Sequence, residues 1–281
     1  MAFTALGVFA ALNVAIWSAV FTDDSDALHL YALDVGQGDA TLIVTPTGAT
    51  ALIDGGPDGR VLLNELSDAL PLGHRTIDLV VATHPQADHI SGLFDVLDRY
   101  RVNALLVSPI NARTELGRQL ARSAQAHGIA LVIADAETLI KLEENVVFDV
   151  LGPLPSSISD DAADVNSGSV ALRLRHDAVS MVLTGDMEAL QETTLARGPW
   201  DLRATVLKVA HHGSATSTTD LLLRRIQPAI ALISAGAENR FGHPDDGVLQ
   251  RLSGTIVLRT DVNGTIHLRS DGASVTYDAD R

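Results

Sequence analysis

The sequence predicts an α+β domain in which two β-sheets pack face to face and helices cover their outer faces. Three observations predict it. Short strand-like runs and helical periodicities are mixed through two successive halves of the chain, with no internal repeat. Of the 281 residues, 46% are hydrophobic and 20% charged, enough apolar material for one large core. Several strand-like runs end in Asp or His, as side chains do that leave a sheet edge for a crevice. The domain is expected over residues 27–281, preceded by a separate segment at 1–22.

That first segment, MAFTALGVFAALNVAIWSAVF, holds no charged side chain from Met1 to Phe21. As a helix rising about 1.5 Å per residue it spans roughly 30 Å of hydrocarbon. A transmembrane helix over residues 1–22 is therefore predicted, with a cleaved signal or a buried helix as the alternatives. The lack of Lys or Arg before the run weakens the signal reading. Asp23, Asp24 and Asp26 follow, and no flanking basic residue gives an orientation.

Leu28, Leu30 and Ala32 alternate as in a strand, and the Gly36-Gln37-Gly38 turn leads to strands at 41–44 and 51–53. Val61, Leu62, Leu66 and Leu70 share a helical face. Leu79 to Ala82 is a short buried strand, after which Leu93, Val96, Leu97 and Tyr100 mark a helix. Strands at 105–107 and 131–133 flank a helix through Leu116, Leu120 and Ala124, and a strand follows at 146–151. The stretch 153–166, rich in Ser and Asp, reads as a surface loop or as a lid or rim beside a site. Beyond it come strands at 170–174, 179–183, 205–210 and 230–234, helices through Leu190, Leu222 and Val248, and two strands near 265–268 and 275–277.

Composition narrows the chemistry. There is no cysteine, which excludes disulfides, zinc–thiolate sites and thiol nucleophiles. The net charge of −15 repels nucleic acid at long range and argues against a basic DNA-coating surface. Only Lys141 and Lys208 are lysines, so 18 of the 20 basic residues are Arg.

Asp34, Asp54, His84, Asp186 and His211 each follow a predicted strand. Singly, such an Asp is most often a turn former or helix cap. Together with Gln86, Asp88 and His89 they form the donor set that zinc, manganese or iron takes when no thiol is present. In His84-Pro85-Gln86-Ala87-Asp88-His89 the strand ends, Pro85 blocks its continuation, and a helix begins. A strand end, a turn and a helix start can converge on one point.

At these residues the chain resembles the metallo-β-lactamase superfamily, whose signature is His-x-His-x-Asp-His, and more closely the C-terminal hydrolase domain of ComEC-type competence proteins. The closer likeness rests on Leu33-Asp34-Val35-Gly36-Gln37-Gly38-Asp39-Ala40, Leu52-Ile53-Asp54-Gly55-Gly56, Thr83 to His89, and Leu183-Thr184-Gly185-Asp186. It also rests on Leu207-Lys208-Val209-Ala210-His211-His212-Gly213-Ser214 and Phe241-Gly242-His243-Pro244. The resemblance implies an αββα four-layer sandwich with one or two divalent ions, zinc or manganese, between the sheet edges. It implies that Asp88 and His89 ligate one ion with a member of the His211–His212 pair. His211 is favoured there, as the nearer to the strand end. It further implies that His84 and Gln86 hold the other ion, that Asp186 bridges the two, and that Asp54 orients the His84–His89 turn. Asp34, Gln37 and Asp39 line the groove in this family, Asp34 being taken as a supporting residue with Asp54.

Two departures matter. Gln86 stands where the superfamily signature has its second His, and Asp164-Val165-Asn166-Ser167-Gly168-Ser169 stands where many relatives supply another. An amide oxygen is a weak ligand, so the ion at His84 is expected to bind less tightly.

The implied activity is metal-dependent phosphodiester hydrolysis, with DNA as substrate during uptake. The membrane and the channel portion of an uptake protein are the implied partners, and the extracytoplasmic side of the cell membrane the expected location. Asp186, His212 and His243 are the catalytic candidates, the two imidazoles as acid or base. Lys208, Ser214, Asn239 and Arg240 are candidates to hold a phosphate, with Thr216 and Ser217 beside them. The competing readings are an esterase or lactonase and a non-catalytic binding or gating module.

Overall fold

A computed structural model of the chain describes residues 27–281. The segment read as a membrane helix lies outside them. Among the described residues no helix is long and apolar enough to cross a membrane.

The first half runs β1 (Leu28–Ala32), β2 (Thr41–Val44), β3 (Thr50–Ile53), helix α1 (Gly59–Ala69), β4 (Thr76–Ala82), α2 (Ala87–Ile90), α3 (Leu93–Arg99), β5 (Arg101–Val107), α4 (Glu115–Ala126) and β6 (Ala130–Ile133). The second runs β7 (Leu139–Lys141), β8 (Val146–Gly152), β9 (Ala171–His176), β10 (Val179–Leu183), α5 (Ala189–Arg197), β11 (Val206–Lys208), α6 (Asp220–Ile226) and β12 (Ile230–Ile233). It closes with α7 (Asp246–Arg251), β13 (Ile256–Arg259), α8 (Thr260–Asn263), β14 (Ile266–Ser270) and β15 (Val275–Ala279).

One sheet has the order β15-β14-β1-β2-β3-β4-β5-β6, the other β13-β12-β11-β10-β9-β8-β7. Three apolar clusters separate four layers. Leu30, Ile53, Val81, Phe148, Leu172 and Leu232 belong to the cluster between the sheets. Leu52, Val80, Leu62, Leu66, Val96 and Leu120 join the first sheet to α1, α3 and α4. Val182, Leu207, Leu195, Leu222 and Val248 join the second to α5, α6 and α7. Each fully buried Leu among these contributes about 1.5–3 kcal/mol relative to exposure.

The helices begin where the sequence supplies a cap. Asp58 accepts the Arg60 and Val61 amides at α1, Thr114 the Gly117 amide at α4, and Thr219 the Leu222 amide at α6. β3, β4, β5 and β6 are mutually parallel, as are β10, β11, β12 and β13. The loops after β3, β4, β10 and β11 therefore meet along one edge of the sandwich. The one topological surprise is the C-terminal pair. β14 leaves the second half and pairs with β1, Ile266 opposite Ala32 and Ser270 opposite Leu28, so the first sheet is built from both ends of the described chain.

Candidate metal centre

Asp54 is the residue on which the centre is hung. It ends β3 with φ 60°, a left-handed conformation that Asp tolerates better than most side chains, and it is 1% exposed. Its Oδ1 accepts the Thr83 amide at 2.8 Å and its Oδ2 the Thr83 hydroxyl at 2.7 Å. The same Oδ2 lies 2.8 Å from His89 Nδ1. With Nδ1 committed to a carboxylate, the other imidazole nitrogen is left to face the centre, as in metal-binding histidines. His89 Nε2 sits 3.2 Å from Asp186 Oδ2.

Asp186 follows β10 and the Thr184-Gly185 turn, its amide donating to Ser169 Oγ at 3.1 Å. Its Oδ2 lies 3.6 Å from His212 Nε2 and 3.9 Å from His84 Nε2. His84 is fully buried, its Nδ1 3.1 Å from Thr83 Oγ1 and its Nε2 3.2 Å from Gln86 Oε1. Asp88 Oδ2 lies 3.5 Å from His212 Nε2. His84, His89 and Asp186 present ligand atoms within 4.8 Å of one another, and so do Asp88, His89 and His212.

His212, not the favoured His211, enters this cage. Both take left-handed backbone, φ 52° and 54°, in a tight turn at Ala210–Gly213. Such residues store about 1–3 kcal/mol each. The turn swings His212 inward, where its Nδ1 donates to Ser234 O at 3.0 Å and frees Nε2 for the carboxylates. Gly213 permits it, since a Cβ there would lie 2.6 Å from Pro244 Cβ. His211 stays at the rim with Nδ1 3.3 Å from Glu188 Oε1 and Nε2 3.9 Å from Asp186 Oδ2. With its Nδ1 spent on Ser234 O and its Nε2 facing the carboxylates, His212 sits in the cage and not at the rim. His243 stands there, its ring 5.8 Å from that of His211.

Other expectations are corrected too. Lys208 does not reach a substrate anion. It is 3% exposed, and its Nζ lies 2.6 Å from Asp39 Oδ1. Asp34 does not support the centre, because its Oδ1 accepts the Gly36 amide and its Oδ2 pairs with Arg281 at 3.3 Å. Asn239 spends its side chain on its own loop, donating to Gly236 O and His243 O and accepting the His243 amide. Ser214 Oγ pairs with Thr216 Oγ1 at 3.1 Å, and Ser217 Oγ donates to Ala210 O. Arg240 remains exposed, its guanidinium 5.4 Å from the Phe241 ring. The 153–166 stretch is a surface loop, exposed over 160–163 and tied at two of its carbonyls. Gln191 Nε2 donates to Ser157 O and Arg113 Nη1 to Ser159 O.

Two residues outrank their reading from sequence. Asp39, placed only along the groove, shares ligand-range geometry with Asp186 and His212 and again with Asp54 and His89. Gly38 makes this possible, because a Cβ there would meet Asp88 O at 2.3 Å. Glu188, unassigned, holds His211, Thr216 Oγ1 at 3.2 Å and Asn166 Nδ2 at 3.5 Å. Its signal was present as an acidic residue two places after Asp186.

The electrostatics are those of a cation site. Burial pushes the Asp186 carboxyl up, but His89 and His212 more than offset this and hold it well below the usual carboxylate range. Burial likewise pushes His89 down, and the carboxylates of Asp186 and Asp54 reverse the sign and raise it well above 6.5. His212 is raised against its burial by Asp186 and Asp88. His84, with burial and His89 dominating, is lowered. Both Asp186 oxygens, His89 Nε2 and His212 Nε2 are buried with no hydrogen-bond partner. Buried polar atoms are rarely left so, and imidazole and carboxylate donors converging without partners fit a divalent ion.

The model of the metallo-beta-lactamase superfamily matches residues 33–237. The chain is 30% identical over 258 residues to ComE operon protein 3 of Bacillus subtilis, covering 84% of this chain and 32% of that protein. It is 32% identical over 243 residues to Recombination protein 2 of Haemophilus influenzae, covering 84% and 28%. The chain thus spans about a third of the length of these relatives. Among solved structures, YhfI of Bacillus subtilis, a metallo-beta-lactamase fold protein, aligns with TM-score 0.56 at 12% identity over 90% of this chain and 99% of its own. Zn(2+)-bound PqqB of Methylobacterium extorquens aligns with TM-score 0.51 at 13% identity over 79% and 85%. These two likenesses bear on the fold alone.

Proposed function

The chain belongs to the metallo-β-lactamase superfamily of metal-dependent hydrolases, and from that premise we propose that it is a phosphodiesterase that cuts DNA during uptake, working with zinc or manganese. The observation that carries the hydrolytic reading is the set of buried, unpartnered Asp186, His89 and His212 atoms facing one another where the strand-end loops meet. The names of the similar proteins, ComE operon protein 3, Recombination protein 2 and Competence protein ComA of Neisseria gonorrhoeae, support the link to competence. The apolar run 1–22 would anchor the domain in the cell membrane on the extracytoplasmic side, beside a channel portion.

His84, Asp88, His89, Asp186 and His212 are the residues that would hold divalent ions, which when bound would supply Lewis acidity toward water and a phosphoryl oxygen. The chain's own residues do the rest. Asp54 and Thr83 fix the His89 ring, and Ser234 fixes that of His212, so the donors stand in place before substrate arrives. Gln86 offers only an amide oxygen near His84, so an ion there would be the weaker held. The rim imidazoles His211 and His243, their rings 5.8 Å apart, would supply a proton to a leaving oxygen, and exposed Arg240 would steady a phosphate.

The test is cleavage of labelled single- and double-stranded DNA with manganese, zinc or magnesium. The wild-type chain should cut and Asp186→Ala should lose at least about a thousandfold, the scale of removing a principal catalytic group. Turnover of a generic ester or lactone with intact DNA would replace the nuclease reading by that of an esterase. Equal DNA cleavage by Asp186→Ala would remove the site from the account.

A further inference from the structure

The strand registers fix which end of the sandwich is attached to the N-terminal segment. β1 begins at Leu28, and Val44, opposite His29, pairs with Thr50. Thr50 Oγ1 donates to Thr76 O, and Thr76 stands beside Arg101 at the start of β5. The chain therefore enters the fold at the end of the first sheet opposite the metal centre. β4 alone, seven residues at about 3.3 Å each, separates the two ends by roughly 23 Å.

At this attached end one corner has an unusual composition. The turn after α1 puts Leu72 fully into solvent, 107% exposed, between Pro71 and Gly73. Arg75 follows, and its carbonyl accepts the Arg101 amide at 2.8 Å, which brings the start of β5 alongside. Arg99, in the last turn of α3, and Arg101 are exposed, with half-buried Tyr100 between them. A single exposed Leu means nothing by itself. Three exposed arginines in a chain of net charge −15, beside an interfacial aromatic and at the end where an uncharged 21-residue run joins, have a specific complement. Other turns at the same end carry Glu144, Asp177 and Asp271. Exposed Asp98, next to Arg99, is paired with His127 at 3.3 Å, so the three arginines leave the corner a net positive face that suits an anionic surface.

We propose that the Leu72–Arg75–Arg99–Arg101 corner rests on a bilayer of anionic lipids, Leu72 entering the acyl boundary and the guanidiniums meeting headgroup phosphates. This rests on the membrane anchoring proposed above. It has a functional consequence: the groove is held facing away from the bilayer, so DNA meets the metal centre before it reaches the membrane surface.

The chain's lack of cysteine makes the test direct. Single-cysteine variants of the full chain, Leu72→Cys, Phe241→Cys and Ala11→Cys, are labelled with an environment-sensitive fluorophore. They are then placed in phosphatidylcholine vesicles with or without phosphatidylglycerol, and quenched by brominated acyl chains. Labels at 72 and 11 should be quenched in the anionic vesicles, and the label at 241, on the opposite rim, should not. Adding Arg75→Glu, Arg99→Glu and Arg101→Glu should abolish quenching at 72 while leaving it at 11, with unchanged manganese binding reporting an intact fold. Quenching at 11 without quenching at 72 overturns the corner and spares the anchor. No quenching at either overturns both. Equal quenching at 72 in neutral vesicles, or after charge reversal, overturns the anionic contact.

Discussion

The cage and the rim of the site are built on opposite principles. In the cage the imidazoles and Asp186 are buried and tied, while Asp88 keeps 34% of its side chain exposed. His89 is held by Asp54, His212 by the Ser234 carbonyl, and Lys208 by Asp39, the five side chains among these being at most 6% exposed. At the rim, Arg240 and Phe241 are exposed and His243 is half-buried, and the Asn239 amide is spent on shaping the loop that carries them. The difference teaches where each property of the protein resides. On the reading proposed above, the cage would set which cation is held and how tightly, and the rim what is brought to it.

The largest effect expected from breaking this contrast is in the cage. Asp39→Asn leaves the Lys208 ammonium buried without a charge partner, and should destabilise the fold by about 3–5 kcal/mol in denaturant melts. The double change Asp39→Leu with Lys208→Met removes both charges and should recover most of that loss. If the double variant is as unstable as the single, the pair is not a closed electrostatic unit.

A second test uses pH. His89 and His212 are raised above 6.5 by the neighbouring carboxylates, so in the metal-free protein they hold protons that an ion must displace. Metal affinity should rise with pH, by up to about tenfold per unit for each proton released. For the metal-free fold the sign is reversed. A raised imidazole contributes stability that is full below the unfolded value near 6.5 and is lost as pH climbs through the folded value. Calorimetric titration at several pH values, with melts of the metal-free chain alongside, checks both. An affinity flat in pH would contradict the protonated cage.

The smallest effect belongs to the rim. Arg240→Ala should raise KM for DNA about three- to tenfold, in keeping with about 1 kcal/mol for an exposed contact, and leave kcat and metal affinity unchanged. A loss in kcat instead would move Arg240 from the rim into the chemistry.

The same contrast explains what the sequence could disclose. Asp54, His84 and Asp186 stood out because each closes an apolar strand run at a sheet edge, and Asp88 and His89 because they open the helix that Pro85 separates from that strand. His211 and His212 could not be separated, because proximity to the strand end says nothing of a turn in which both residues take positive φ. Lys208 was misjudged although the run Val206–Lys208 is buried throughout, because a lone cation near histidines invites an anion and its partner Asp39 lies far away in the chain. Asp34 was misjudged for a similar reason, its carboxylate being taken up by Arg281, 247 positions on. The layers were legible from periodicity. The pairing of β14 with β1 was not, since no local pattern records a strand's return to the opposite sheet.

The central claim is that buried imidazoles and carboxylates from distant strand ends ligate a common cation around Asp186. Electron spin-echo spectroscopy of the manganese-loaded chain tests it most directly. The account predicts modulation from directly bound imidazole nitrogen, present in the wild type and absent, along with tight binding, in Asp186→Ala. Manganese bound equally well by that variant, or bound with no nitrogen signal in the wild type, would contradict it.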